Sequence, residues 1–361
     1  MRVSKSNITG VSVIVCCYNS AKRLPETLWH LALQNVPENI KWEVIVVDNN
    51  STDNTSEVGL QIWNGFKKDI SFRIVKEEQQ GLSYARHTGA KEAQFEFLVF
   101  CDDDNWFDEN YIHYAFCIMC ENNNIGILGG RSKGVFESKK PEWFDRFETA
   151  YAVGKPYENS GVANVKKYLA GAGMVMRKST LQKLETLSFK QLLTDRRGIQ
   201  LSSGGDAELS LVLLFMGYDL YYDERLQFKH FMPSNRLTWK YCVDAITKGH
   251  AIFGIYFELY NYCFKKVTNG EEVSFDHSYE MMRKKFFRRI LSLMVNAKPF
   301  GWSIKTIIKS QPGSRREIEL KSAIRKFIYL IKNKKRLEQE FVLISRFMHN
   351  LQNAKTVEQP I

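Results

Sequence analysis

A chain of 361 residues that is 44% hydrophobic, 13% aromatic and 25% charged has the apolar content of a globular protein, which excludes wholesale disorder; it is long enough to bury a large core without disulfide staples. Its longest nearly unbroken apolar stretch, Ala251 to Phe257, falls far short of the ~20 residues that cross a bilayer, and MRVSKSNITG carries no apolar leader, so a cytosolic chain is expected. Of the net charge of +11, residues 236–361 carry about +13 and the first 235 about −2, which points to an anionic surface met at one end rather than to nucleic acid.

The seven cysteines, odd in number and mostly inside apolar runs, read as reduced core thiols. Cys117 and Cys120 have the spacing of a zinc half-site, but no second pair completes it.

In chain order, Val11–Cys17 reads as a buried strand ending at Tyr18-Asn19-Ser20, and leucines from Leu24 to Leu33 mark a helix. Trp42–Val47 predicts a second strand ending at Asp48-Asn49, Ser71–Val75 a third, and Leu82–Ala93 a helix. Phe95–Cys101 predicts a fourth strand, ending at Asp102-Asp103-Asp104; a helix over Tyr111–Glu121 and a strand at Ile125–Leu128 follow. Tyr168–Met176 holds a Gly-Ala-Gly bend in a strand-like run, where backbone at Gly173 and Met174 is expected to approach a ligand. Ser203-Gly204-Gly205 opens a helix that runs to Met216, with Asp206 and Glu208 in its first turn. Tyr218–Tyr222 and Leu226–Phe231 read as two short strands. Beyond them, Arg283–Leu291 and Ile324–Ile331 interleave Lys and Arg with Phe, Ile and Leu. That is the pattern of basic amphipathic helices, which either lie on an anionic membrane or pack against the body or a second subunit as a homo-oligomer contact.

Apolar strands alternating with helices imply an α/β fold with a mostly parallel sheet, and such sheets bind ligands beyond their strand ends. We therefore expect a first domain over 1–235 and a basic helical region over 236–361. Three consecutive acids after a buried strand repel one another unless a cation neutralises them, and oxygen-only ligands favour Mn²⁺ or Mg²⁺ together with a substrate diphosphate. Asp206, on a separate element behind two glycines, is the candidate for proton abstraction from an acceptor hydroxyl. His230 and Arg236 lie on a stretch suited to facing a diphosphate, and Glu208 is a further candidate contact.

VSVIVCCYNS, EVIVVDNNSTDNT, GLSYARHTGA, FLVFCDDDN and GGDAEL, in that order over about residues 10–240, resemble the family 2 glycosyltransferases of the GT-A fold. The resemblance implies inverting, metal-dependent transfer of a sugar from a nucleotide-diphosphate sugar. It implies that Cys16, Tyr18, Asp48, Asn49 and Arg86 bind the nucleotide, that Asp103 meets the ribose, and that Asp102 and Asp104 form the DxD pair with Asp104 on the metal. It also implies that Asp206 is the base, with Gly205 standing where an acid is usual. Asn49 stands where many members have an aspartate, and UDP is favoured over dTDP or GDP. The implied acceptor is a glycan or lipid-linked glycan of cell-surface polysaccharide synthesis, met in the cytoplasm or at the inner face of the membrane. The alternatives are a non-catalytic nucleotide-sugar-binding protein of the same fold and a sugar-phosphate nucleotidyltransferase.

Overall fold

The computed structural model describes residues 8–196, 203–295 and 312–358. The four apolar runs that open the chain are β1 (Ile8–Cys17), β2 (Trp42–Asp48), β3 (Ser71–Lys76) and β4 (Phe95–Asp102), paired in parallel in the order β3-β2-β1-β4. Val13 lies opposite both Val44 and Val99, so the strands stop nearly level and Cys17, Asp48 and Asp102 share one rim.

The strands look uniformly apolar because successive side chains serve two cores. Val11, Val13 and Val15 join Val44, Val46 and Val99 beneath α1 (Leu24–Ala32), α2 (Thr55–Phe66) and α4 (Tyr111–Glu121). Ile14 and Cys16 face the other way with Ile45, Val47, Leu98 and Phe100, under α3 (Leu82–Glu92), α5 (Lys178–Thr186) and α6 (Gly205–Met216). α3 lies so close to β1 that a Cβ on Gly89 would sit 2.2 Å from Cγ2 of Ile14. The helix can dock at that depth only without a side chain there.

Beyond β4 the sheet becomes mixed. β8 (Val175–Arg177) runs antiparallel between β4 and β6 (Ile125–Phe136). β9 (Asp219–Met232) pairs in parallel with β6, and β5 (Asn105–Phe107) and β7 (Gly161–Val162) pair antiparallel with β9.

Two expectations are corrected here. Tyr218–Tyr222 and Leu226–Phe231 belong to one strand, interrupted by a bulge where the register against β6 slips between Gly129 and Arg131. The bulge fits because Gly130 lacks a side chain; a Cβ there would lie 1.8 Å from the Leu226 carbonyl oxygen. The run Tyr168–Met176 becomes a strand only at Val175, since Met174 N–H closes a turn on the Gly171 carbonyl at 3.3 Å.

After β9 come α7 (Trp239–Asp244), a π-helical stretch over Ala245–His250, α8 (Ala251–Thr268), α9 (Phe275–Val295), α10 (Arg315–Lys332) and α11 (Lys334–Glu358). Their apolar faces do not form a separate core. Tyr256, Leu330, Phe341, Ile344 and Phe347 pack in the same cluster as Ile14 and Leu213, so the change of charge after Asn235 does not interrupt the interior. Among the described residues no helix is long and apolar enough to cross a membrane.

Candidate active site

The rim of β1, β2 and β4 opens into a cavity of about 680 Å³, closed on its far side by α6, the π-helical stretch and the 146–152 turn. Its wall includes Cys16, Tyr18, Asn49, Arg86, Asp102, Asp103, Asp104, Asp206, His230 and Arg236. Ten of the residues singled out from the sequence thus meet in one place, drawn from positions 16 to 236.

The three acids after β4 have separate surroundings. Asp103 accepts from Ser20 Oγ and from Arg23, whose Nη2 is at 2.6 Å. Burial raises its carboxyl, the neighbouring Asp104 adds to that, and Arg23 opposes both. Asp104, only 3% exposed, accepts from Arg236 Nη1 at 2.9 Å and has His230 Nε2 3.3 Å from its other oxygen. Burial alone would raise it, but His230 and Arg236 outweigh burial and hold it below the usual carboxylate range. Asp102 is half-buried on the cavity wall, with Arg86 Nη2 at 3.7 Å, and burial raises it against that cation.

Among the described residues no group of three or more His, Cys, Asp or Glu side chains is gathered as a ready chelate. What the wall does offer is two hard carboxylates, Asp102 and Asp104, and beside them His230, whose Nδ1 is buried without a hydrogen-bond partner, as are Arg86 Nε and Tyr241 Oη. Carboxylate oxygens with one imidazole nitrogen are a donor set that Mn²⁺ or Mg²⁺ accepts when a substrate diphosphate supplies the remaining positions.

Asn49 lines the cavity, yet its amide is already engaged. Nδ2 donates to the Gln79 carbonyl at 2.8 Å, and Oδ1 accepts the Gly81 N–H at 2.6 Å. Asp48 lies outside the cavity wall, its carboxylate accepting from Ser51 N–H at 3.0 Å and from Ser56 Oγ. The Cys16 thiol faces the cavity, and burial pushes it up to about 12, so it stays protonated and serves as wall rather than nucleophile.

Asp206 projects from the first turn of α6. One of its oxygens accepts the Gly171 N–H at 2.8 Å, the other its own neighbour Ala207 N–H at 2.7 Å. Each oxygen retains capacity for a further hydrogen bond, and the residue lines the cavity. The glycine bend therefore does reach the site, but through Gly171 and Ala172; Gly173 and Met174 do not line the cavity. Met174 is fully buried, and the Gly173 carbonyl accepts from Tyr111 Oη. Glu208 likewise points into the core, where Leu193 N–H at 2.8 Å and Tyr260 Oη at 2.6 Å hold its carboxylate.

Sequence reasoning passed over Asp195, Arg23 and His250. Asp195 lies in a stretch with no periodicity, Thr194-Asp195-Arg196, and burial raises its carboxyl to about 6 against the pull of Arg86. His250 caps the π-helical stretch at the cavity wall, and burial lowers its imidazole while Asp206 opposes the shift.

Residues 12–185 match the family model described as glycosyl transferase family 2. Among curated proteins the chain is similar to the poly-beta-1,6-N-acetyl-D-glucosamine synthase of Staphylococcus epidermidis, 25% identical over 176 residues, which are 48% of this chain and 41% of that protein. It is also similar to the poly(ribitol-phosphate) beta-N-acetylglucosaminyltransferase TarS of Staphylococcus aureus, 32% identical over 133 residues, 35% of this chain and 22% of that one. The match thus spans less than half the length of either relative. The crystal structure of S. aureus TarS 1–349 in complex with UDP-GlcNAc aligns at a TM-score of 0.49 and 16% identity, over 97% of this chain and 93% of that one.

Proposed function

We propose that the chain, whose residues 12–185 match the model of glycosyl transferase family 2, is a member of that family and transfers a sugar, with inversion, from a nucleotide-diphosphate sugar to a glycan or lipid-linked glycan in cell-surface polysaccharide synthesis. The observation that carries the reading is the meeting of Asp102, Asp104 and Arg86 on one wall of a cavity with Asp206 on another element. Both curated relatives named above are N-acetylglucosamine enzymes by name, so UDP-N-acetylglucosamine is the first donor to test.

In this reading Asp206 takes the proton from the acceptor hydroxyl as its oxygen attacks the anomeric carbon, and the bond from that carbon to the diphosphate breaks on the opposite face. Gly171 N–H keeps the carboxylate aimed. Arg86 and Arg236 flank the place of the leaving diphosphate, where fixed guanidinium donors stabilise developing charge. Asp104 and Asp102, with His230 beside them, would hold Mn²⁺ or Mg²⁺, which when bound supplies Lewis-acid neutralisation of the diphosphate. Asp206→Asn should lower UDP release from UDP-N-acetylglucosamine by about a thousandfold while leaving UDP binding within threefold; Asp104→Ala should weaken both. Near-native turnover in both variants would refute the assignment.

The partner surface is part of the same reading. Phe287, Leu291 and Met294 follow at helical spacing on α9 and are 49%, 45% and 53% exposed. Phe287 packs against Phe327 of α10, which exposes Ile328 and Ile331. From Arg283 to Val295 the sequence has five basic residues and no acid. Two copies meeting through this face would set like charges together, so the pattern supports contact with an anionic bilayer surface.

A further inference from the structure

We infer that Asp195 is a positioning residue whose carboxylate ties the first turn of α6, which carries Asp206, and Arg86 of α3 to a single anchor. This rests on the assignment of Asp206 as the base.

One oxygen of Asp195 accepts the N–H groups of Gly204 and Gly205 at 3.1 and 2.9 Å, two donors at the helix start that no preceding helical turn can satisfy. The other oxygen accepts from Arg86 Nη1 at 2.9 Å. Arg86 then leans on Gly171, where a Cβ would sit 2.7 Å from its Nη2, and the Gly171 N–H holds Asp206. The contacts close a ring: Asp195 to Arg86, Arg86 to Gly171, Gly171 to Asp206, and through the α6 turn back to Asp195. Arg86 also reaches Asp102 at 3.7 Å, so the ring is fastened to the end of β4.

Gly205 is what gives Asp195 room. A Cβ at 205 would stand 2.4 Å from Gln191 Nε2, 2.7 Å from the Asp195 carboxylate and 2.9 Å from the Leu193 carbonyl. The acid that steadies this turn comes from ten residues upstream and, with Gln191, occupies the space in which a side chain at 205 would begin. The family resemblance implies an acid at 205; this chain has glycine there, with the carboxylate of Asp195 beside it.

The test uses the full chain with Mn²⁺, UDP-N-acetylglucosamine for turnover and UDP for binding. Asp195→Asn keeps the shape and removes the charge. UDP release should fall at least thirtyfold, UDP affinity should weaken as Arg86 loses its anchor, and amide exchange over 203–207 should rise at least tenfold. Turnover within threefold of wild type would overturn the inference, as would a lost turnover with unchanged exchange over 203–207. If Asp195→Asn does not fold, Asp195→Ser carries the same expectations. Wild type active with Asp206→Asn inactive upholds the base whatever position 195 does. Should the wild type release no UDP, UDP-N-acetylglucosamine is not its donor, and the exchange measurement alone decides whether Asp195 anchors the turn.

Discussion

Replacing Glu208 by glutamine (Glu208→Gln) should change how stability depends on pH. The carboxylate is wholly buried, and burial pushes it from 4.5 up to about 7 despite the donors from Tyr260, Leu193 and Leu192. The folded state therefore binds this proton more tightly than the unfolded chain does. Its contribution is most favourable below pH 4.5, declines as pH rises through about 7, and levels off above that. At about 1.4 kcal/mol per pH unit, the distance between the two values makes the penalty at high pH ~3 kcal/mol, a large part of the 5–15 kcal/mol typical of domain stability. Glutamine keeps an accepting oxygen and does not titrate. Urea unfolding of both proteins at half-unit steps from pH 5 to 8 should show the variant gaining on the wild type by about 2–3 kcal/mol across the range, whatever the offset at pH 5. A constant difference, or a gap that closes with rising pH, would refute the reasoning.

Arg236→Ala leaves the buried Asp104 with His230 and the Asn105 amide but without its nearest cation, and should cost about 2–3 kcal/mol in urea unfolding, less than the roughly 3–5 kcal/mol of a broken fully buried pair because Arg236 is itself a quarter exposed. An unchanged midpoint would contradict the pairing. Gly89→Ala drives a methyl into Ile14, which is fully buried and has nowhere to retreat, so a loss of about 2 kcal/mol or more is expected by the same method. Wild-type protein should co-sediment with phosphatidylglycerol-containing vesicles and be released by salt, whereas Phe287→Ser combined with Leu291→Ser should stay in the supernatant; equal pelleting would dismiss α9 as the contact.

Much of the site is readable in the sequence because its first half rests on local signals. An apolar strand followed at once by Asp102-Asp103-Asp104, or by Tyr18, announces a rim, and parallel pairing brings the rims together. The remainder depends on partners remote in sequence. Arg86 and Asp195 are 109 residues apart, and no spacing rule connects them. Glu208 and Met174 sit within a few residues of true wall positions, yet helix and turn geometry rotate both into the core. The bulge in β9 is set by Gly130 on another strand, so two strands were expected where one kinked strand exists.

The engaged amide of Asn49 carries a consequence for how donor preference is able to vary. By gripping Gly81 it fixes the residue that starts α3, and Arg86 stands one turn further along that helix. An alteration at Asn49 would thus be transmitted to Arg86 through a rigid lever only a few residues long. Under the proposed nucleotide-sugar reading, base choice and phosphate grip would form one heritable unit, and a variant selected for another nucleotide would have to re-seat the lever as well as the ring.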